Sequence, residues 1–396
     1  MDLAEKKIVL GLTGGIACYK AAELTRALIK SGAAVQVVMT EAATHFVTPV
    51  TMQALSGRTV YTDQWDPRLP NNMAHIDLTR DADLVLIAPC SADFLAKLAH
   101  GRCDDLLSTL CIARPHLQPL AIAPAMNVEM WQHPATVRNV AILRDDGVEI
   151  FGPESGSQAC GETGMGRMLE PAVMLDEVVA LFQPRSLAGK RLLITAGPTF
   201  EPVDPVRGLT NLSSGKMGYA MARAAREAGA EVTLVSGPTA LACPAGVTRI
   251  AVQTGRQMHA AVMAHVESVD IFVAVAAVAD WGVANPLLQK IKKSVSETMP
   301  IIDFVPNPDI LTEVAARPNP PYCVGFAAES ENLDVYGEQK RLKKNIPLLI
   351  GNIGHQTFGM DHNEVTLFDH NGVSRLPRAD KLTLARQLIS DIARRL

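Results

Sequence analysis

A cysteine framework, a long apolar run and a dominant charge are all missing from this 396-residue sequence, and each absence narrows what it can be. Its seven cysteines are odd in number and lack paired spacing. They are expected to be reduced thiols in a cytoplasmic protein, not a disulfide scaffold. Neither CxxC nor HExxH occurs, so no zinc site is expected, metal ligands stay unassigned, and magnesium would arrive with a nucleotide. A net charge of −4 offers no basic face for nucleic acid or an anionic membrane. Runs such as Asp270–Val278 fall far short of the roughly 20 residues that span a bilayer. The N-terminus, MDLAEKKIVLGLTGG, enters a glycine turn where a signal peptide would continue, so no leader is expected. Any phosphate-bearing ligand must therefore be held by local sites.

What is present is an alternation of short apolar runs with amphipathic, helix-length stretches. It predicts an α/β protein of two Rossmann-like or flavodoxin-like doubly wound parallel-sheet domains. Strands are expected at Lys7–Leu12, Val35–Met39, Asp83–Ala88, Pro119–Ala123 and Glu149–Phe151. Helices are expected at Ala17–Lys30, Asp93–His100, Asp104–Ala113 and Glu129–Asp145. The polar connector Gln183–Lys190 then places a domain boundary, giving domains 1–189 and 190–396. Beyond it, strands are expected at Arg191–Ala196, Glu231–Ser236, Ile271–Val275, Tyr322–Phe326, Leu348–Gly351 and Glu364–Phe368. Helices there are expected at Met217–Ala228 and Ala379–Arg394. KKIVLGLTGG and KRLLITAGPT open the two halves alike, which duplication or βαβ geometry alone would produce.

In the first half, Thr13-Gly-Gly-Ile-Ala17 joins a strand to a helix, where backbone N–H groups can approach an anion. An unliganded tight turn needs much the same glycines. Three further segments shift the balance: Ala88–Lys97, Asp104–Thr109 and Pro124–Trp131. The first and third lie at expected carboxyl ends of strands, where open α/β sheets bind ligands. With His75 before the third strand and the glycine-rich Glu154–Arg167, the half resembles the flavin-dependent cysteine decarboxylases, specifically phosphopantothenoylcysteine decarboxylase. The marks are Gly14–Ala17, His75, Cys90–Asp93, Pro124–Asn127 and Gly156–Met168. The resemblance implies FMN held by Gly14, Gly15, Ile16, Ala17, Ser91, Ser108, Ala125 and Met126. Cys90, Asp93 and Phe94 depart from the family's PASANT pattern and are expected to adjust flavin contacts.

Each mark has a chemical reading. A simple alkyl carboxylate holds its carbon dioxide because the electrons left behind have no acceptor. Oxidising the thiol-bearing carbon to a thioaldehyde creates that acceptor; decarboxylation gives an ene-thiolate, which is then reduced. His75 suits proton management near neutral pH, or else is a surface or capping residue. Asn127 can donate to the substrate carboxylate and also cap a helix. Cys160 sits among four glycines from Gly156 to Gly166, a density that suggests a mobile lid instead of a regular element. The resemblance makes it the final proton donor.

In the second half, Thr195–Thr199, Glu201–Arg207 and Leu209–Gly218 form a loop rich in Pro, Gly and small polar residues that ends at a helix start. GxxxxGK[ST] is absent, so a Walker-type nucleotidase is unsupported. The EPVDPVR and TNLSSGKMG segments, followed by Ala276–Trp281, Lys290–Lys293, Asn307–Leu311 and Gly325–Glu329, resemble phosphopantothenate–cysteine ligase. That resemblance implies CTP as co-substrate with Mg²⁺, an acyl-cytidylate, and release of pyrophosphate before cysteine's amine attacks. It implies nucleotide contacts at Ser213, Gly215, Ala276, Asp280 and Lys290, at Val305, Pro306, Asn307 and Pro308, and at Phe326, Lys340 and Lys344. Asn211 would hold the acyl intermediate and Lys290 would neutralise developing charge. Lys340 and Lys344, at i and i+4, share one helical face, as two surface lysines also would.

Both resemblances together imply a bifunctional enzyme of coenzyme A biosynthesis acting on 4′-phosphopantothenate, cysteine and CTP. They imply a homo-oligomer, a dodecamer built from trimers and dimers with flavin sites between subunits. The alternative is a non-catalytic regulatory or partner subunit on the same fold.

Overall fold

Apolar runs with few polar interruptions become strands buried on both faces, as a helix-covered parallel sheet requires. The computed structural model describes residues 1–68, 73–291, 301–357 and 359–396; the chain divides into two compact units, Met1–Leu181 and Phe182–Leu396.

In the first unit, β1 (Lys7–Leu12), β2 (Ala34–Met39), β3 (Leu84–Cys90), β4 (Leu120–Pro124) and β5 (Glu149–Ile150) form a parallel sheet in the order β2-β1-β3-β4-β5. This is the flavodoxin order, and its ligand crevice opens between β1 and β3, where the winding reverses. Buried Thr13 ties the two strand ends: its hydroxyl donates to Pro89 O at 2.8 Å and accepts from Ser91 N at 2.8 Å. Val9, Val85, Ile87, Phe94, Leu107 and Ile122 anchor one core cluster.

Two expectations need correction here. The helix expected over Glu129–Asp145 is two, Val128–Gln132 and Pro134–Asp145. Pro134 lacks the N–H that would continue the first helix but suits the first position of the second. The glycine-rich Glu154–Arg167 is regular after all: β6 (Glu154–Ser157) and β7 (Thr163–Arg167) pair as an antiparallel hairpin. Its glycines permit close approach. At Gly166, with φ +133°, a Cβ would lie 2.4 Å from Met126 O.

The second unit's strands are, in chain order, β8 (Arg191–Ala196), β9 (Phe200–Pro202), β10 (Gly208–Thr210), β11 (Glu231–Ser236), β12 (Val247–Ala251), β13 (Ile271–Ala274), β14 (Trp281–Val283), β15 (Phe304–Pro306), β16 (Tyr322–Glu329), β17 (Leu348–Ile353), β18 (His362–Asp369) and β19 (Gly372–Asp380). Eight of them make one sheet, β12-β11-β8-β13-β16-β17-β18-β19. Its first six strands are parallel and the last two run antiparallel. The parallel part has the Rossmann order, with its crevice between β8 and β13. Leu192 and Ile194 face the cluster under helices Lys216–Glu227 and Lys381–Arg394, while the intervening Leu193 faces the opposite cluster with Phe272 and Met258. Each such side chain contributes roughly 1.5–3 kcal/mol by leaving water. Leu187, inside the expected connector, is fully buried in the first of these clusters. β9 pairs with β10 and β14 with β15 as separate antiparallel ribbons.

Candidate active sites

A cavity of about 400 Å³ opens at the carboxyl ends of β1, β3 and β4 and is closed on one side by the β6–β7 hairpin. The loop after β1 contributes Gly14, Gly15, Ile16 and Ala17; the strand ends contribute Ser91, Ala125, Met126 and Asn127. Ser91 is placed by capping the helix Ala92–Ala99, its hydroxyl accepting from Phe94 N at 3.2 Å. The hairpin docks because Met126 N donates to Gly166 O at 3.0 Å and Val128 N to Gln158 Oε1 at 3.0 Å. Asn127 caps Val128–Gln132 through Oδ1, leaving its amide free to reach outward. That amide donates to the Glu162 carboxylate, and it lies 3.9 Å from Cys160 Sγ. Cys160 Sγ is 3.6 Å from Glu162 Oε2. Thus Asn127 and Cys160, 33 residues apart, meet at one edge of the cavity.

Seven of the eight expected cofactor residues line this cavity. Ser108 does not: it is fully buried, and its hydroxyl is held by Asp105 in a capping box that opens helix Leu106–Ala113. His75 is also absent from the lining; it lies on the helix Ala74–Arg80. Asp93 and Phe94, the family departures, point elsewhere. Phe94 is in the core and Asp93 lies 3.8 Å from Lys97. Cys90 is buried near Cys111, and burial pushes its thiol well above the ordinary range. Three lining or adjoining residues were not anticipated: Lys20, Gln158 and Glu162. Lys20 Nζ donates to Met168 O at 2.7 Å and Glu170 Oε1 at 3.1 Å, tying the first helix to the chain beyond the hairpin.

In the second unit two cavities of about 560 and 240 Å³ share Ala276, Val278, Phe326 and Lys340. Both sit at the carboxyl ends of β8, β13 and β16. The larger is lined by Asn211, Ser213 and Gly215; the smaller by Asp280, Asn307, Pro308 and Lys344. Asn211 is held by Nδ2 donating to Ala277 O at 2.9 Å. Asn307 Nδ2 donates to Ala279 O at 2.9 Å. Lys344 pairs with Asp309 at 2.7 Å, and Lys340 with Glu329 at 3.4 Å. Burial would raise the Asp309 pKa, but Lys344 and the Thr312 hydrogen bonds hold it below the usual carboxylate range. Lys290 is exposed and lines neither cavity, and Val305 and Pro306 belong to β15 outside both. Lys292 and Lys293 of the same basic cluster lie outside the described residues. Among the described residues no group of three His, Cys, Asp or Glu could hold a metal ion, and no helix is long and apolar enough to cross a membrane.

Residues 1–183 match the family described as Flavoprotein, and residues 187–396 match the DNA/pantothenate metabolism flavoprotein C-terminal domain. The chain is 50% identical to the Coenzyme A biosynthesis bifunctional protein CoaBC of Vibrio cholerae over 97% of each chain. It is 47% identical to the protein of that name from Escherichia coli, over 100% of this chain and 98% of the other. Among solved structures, the C-terminal domain of a Coenzyme A biosynthesis bifunctional protein CoaBC is similar at 38% identity. The match covers 53% of this chain and 97% of that one, with a TM-score of 0.46.

Proposed function

The chain belongs to the family of bifunctional coenzyme A biosynthesis proteins, and from that premise we propose how its two units divide the chemistry. It is a phosphopantothenate–cysteine ligase and a phosphopantothenoylcysteine decarboxylase in one chain. The reading as a non-catalytic partner subunit is not favoured, given near-full-length identity to that bifunctional family.

The first unit is the decarboxylase, and FMN is its cofactor. The 400 Å³ cavity is mostly apolar and lies in the β1/β3 crevice, and a Cβ at Gly15 would meet nothing within 4 Å. Those features suit a flat flavin ring against Ile16, Ala125 and Met126, with its phosphate at the Gly14–Ala17 loop. When bound, the flavin supplies a two-electron oxidation at the substrate's thiol-bearing carbon and its reversal after carbon dioxide has left. The Asn127 amide grips the substrate carboxylate until it departs. Since Glu162 occupies that amide, the incoming carboxylate displaces a carboxylate of the chain's own. The Cys160 thiol then delivers a proton to the ene-thiolate carbon. His75 manages protons at the cavity of a neighbouring copy in a homo-oligomer.

The second unit is the ligase. CTP takes the smaller cavity, with Asp280, Asn307, Phe326, Lys340 and Lys344 around it, and its triphosphate extends toward Ser213 and Gly215 of the adjoining larger cavity, carrying Mg²⁺. Phosphopantothenate takes the larger cavity, where the Asn211 amide holds its carboxylate. The carboxylate oxygen attacks the α-phosphorus, pyrophosphate leaves, and Lys290 offsets the developing charge. Cysteine's amine then attacks the acyl carbon, expelling CMP.

The meeting of Asn127 and Cys160 at the β1/β3 crevice is the observation that carries the decarboxylase half. Mass spectrometry of products from phosphopantothenate, cysteine, Mg²⁺ and CTP tests both halves, with an ATP arm beside it. Phosphopantetheine should form with CTP. Accumulation of phosphopantothenoylcysteine would leave only the ligase, and no product with either nucleotide would end both assignments.

A further inference from the structure

The larger cavity of the second unit holds a cation that no step above uses. Lys381 is 8% exposed and lines the cavity, and its ammonium has one hydrogen-bond partner among the described residues, Thr357 O at 3.1 Å. No carboxylate among the described residues pairs with it. Its two lysine neighbours on the same lining differ. Lys340 pairs with Glu329, and Lys216 pairs with Asp361 at 2.6 Å while donating to Gly359 O at 3.1 Å. An ammonium taken out of water with no carboxylate in contact destabilises a fold.

Its position adds a second cost. Lys381 and Lys216 are the first residues of the helices Lys381–Arg394 and Lys216–Glu227, where the helix dipole opposes a positive charge. Both helices start at the same cavity. Burial and the Lys216 charge push the Lys381 pKa down, against a smaller opposing effect of Asp361. Two N-terminal lysines, one nearly buried, thus converge where two helices already present positive ends. Neutral surroundings do not relieve that arrangement; an anion does.

We propose that Lys381 and Lys216 form a phosphoryl-binding subsite on the lining of the larger cavity. The inference rests on the second unit's being the ligase. The shared chemistry is a phosphoryl group with its oxygens accepting from both ammonium groups. Its source is either the phosphate monoester of phosphopantothenate or the triphosphate of CTP.

The test is titration calorimetry on the full-length holoenzyme, with phosphopantothenate, CTP and unphosphorylated pantothenate as separate probes. Lys381→Met and Lys216→Met are compared with wild type, and the melting temperature of each unliganded protein is recorded. Loss of one charged hydrogen bond should weaken one phosphorylated probe by about ten- to hundredfold and leave pantothenate unchanged. Weakening confined to phosphopantothenate supports the monoester, and weakening confined to CTP supports the triphosphate. Lys381→Met should melt no lower than wild type, because it removes an unpaired buried charge; a lysine kept only for packing would lower the melting temperature. Unchanged affinity for both phosphorylated probes in both variants overturns the proposal. Should Lys381→Met fail to fold, Lys216→Met decides by the same criterion. If wild type binds neither CTP nor phosphopantothenate, the ligase assignment itself falls.

Discussion

Cys160 stands in the turn of the β6–β7 hairpin, exposed, with Asn127, Gln158 and Glu162 as its polar neighbours. A serine there keeps the shape but gives up its proton far less readily, since thiol and hydroxyl acidities differ widely. Cys160→Ser should reduce phosphopantetheine formation by at least about a hundredfold, within the range of acid–base contributions, and leave the ligase untouched. The oxidised, decarboxylated ene-thiol should build up in its place, visible by mass spectrometry as a product two hydrogens short. Glu162 makes the opposite prediction. It occupies the amide that the substrate carboxylate needs, so Glu162→Ala should lower KM for phosphopantothenoylcysteine several-fold with little change in kcat. A raised KM would show that Glu162 holds Asn127 in place. At this scale the residues that a motif marked, the Gly14–Ala17 loop, Ser91, Ala125 and Met126, lie on the cavity lining. Ser108 does not, because a Ser three residues after Asp105 serves equally as a capping box. Lys381 stayed unseen because it resembles any surface lysine near a helix start.

Among the elements, the β9–β10 turn has the clearest electrostatic logic. The Asp204 carboxylate is buried and accepts from the backbone N–H groups of Val206 and Arg207 at 2.8 Å and Ile291 at 3.1 Å. The Arg207 guanidinium donates to the same carboxylate and to Ile291 O at 2.8 Å. Burial alone would raise the Asp204 pKa, but these donors hold it far below the usual carboxylate range. A depressed folded pKa gives stability that is complete above the unfolded value, about 3.9, and is lost as pH falls through the folded one. Wild type should therefore lose stability below about pH 4 more steeply than Asp204→Asn, which starts lower at pH 7. Urea midpoints from pH 2.5 to 7 would show it; parallel curves would remove Asp204 from the account. The turn also fixes Ile291 beside Lys290, so the same variant should slow the ligase. Elements of this kind were the least legible. Central strands announce themselves by apolar runs, whereas β19, GVSRLPRAD, is mostly exposed and carries Pro377 and charges, as an edge strand does. Helix Glu129–Asp145 misled for a similar local reason, since a 3.6-residue pattern runs straight across Pro134.

For the whole molecule, the two sheets follow different winding orders despite their similar openings, so the echo between KKIVLGLTGG and KRLLITAGPT reflects strand–loop–helix geometry as much as common descent. The position of His75 raises the larger question. It carries the family's catalytic chemistry by resemblance, yet it does not line the cavity that holds Asn127 and Cys160. Ile16 and Tyr19 line that cavity while more than half exposed, and large apolar groups left in water at the rim of a site are what a second copy would cover. Mixing His75→Asn with Cys160→Ser distinguishes the two geometries. Each variant alone should fail to make phosphopantetheine while retaining ligase activity. If His75 serves a neighbour's cavity, co-expressed variants assemble some sites from an intact His75 and an intact Cys160, and random pairing restores about a quarter of the wild-type rate. If His75 serves its own cavity, every site in the mixture carries one defect and no activity returns. Recovery would therefore make oligomerisation a condition of decarboxylation, and its absence would require the helix Ala74–Arg80 to reach the site within one chain.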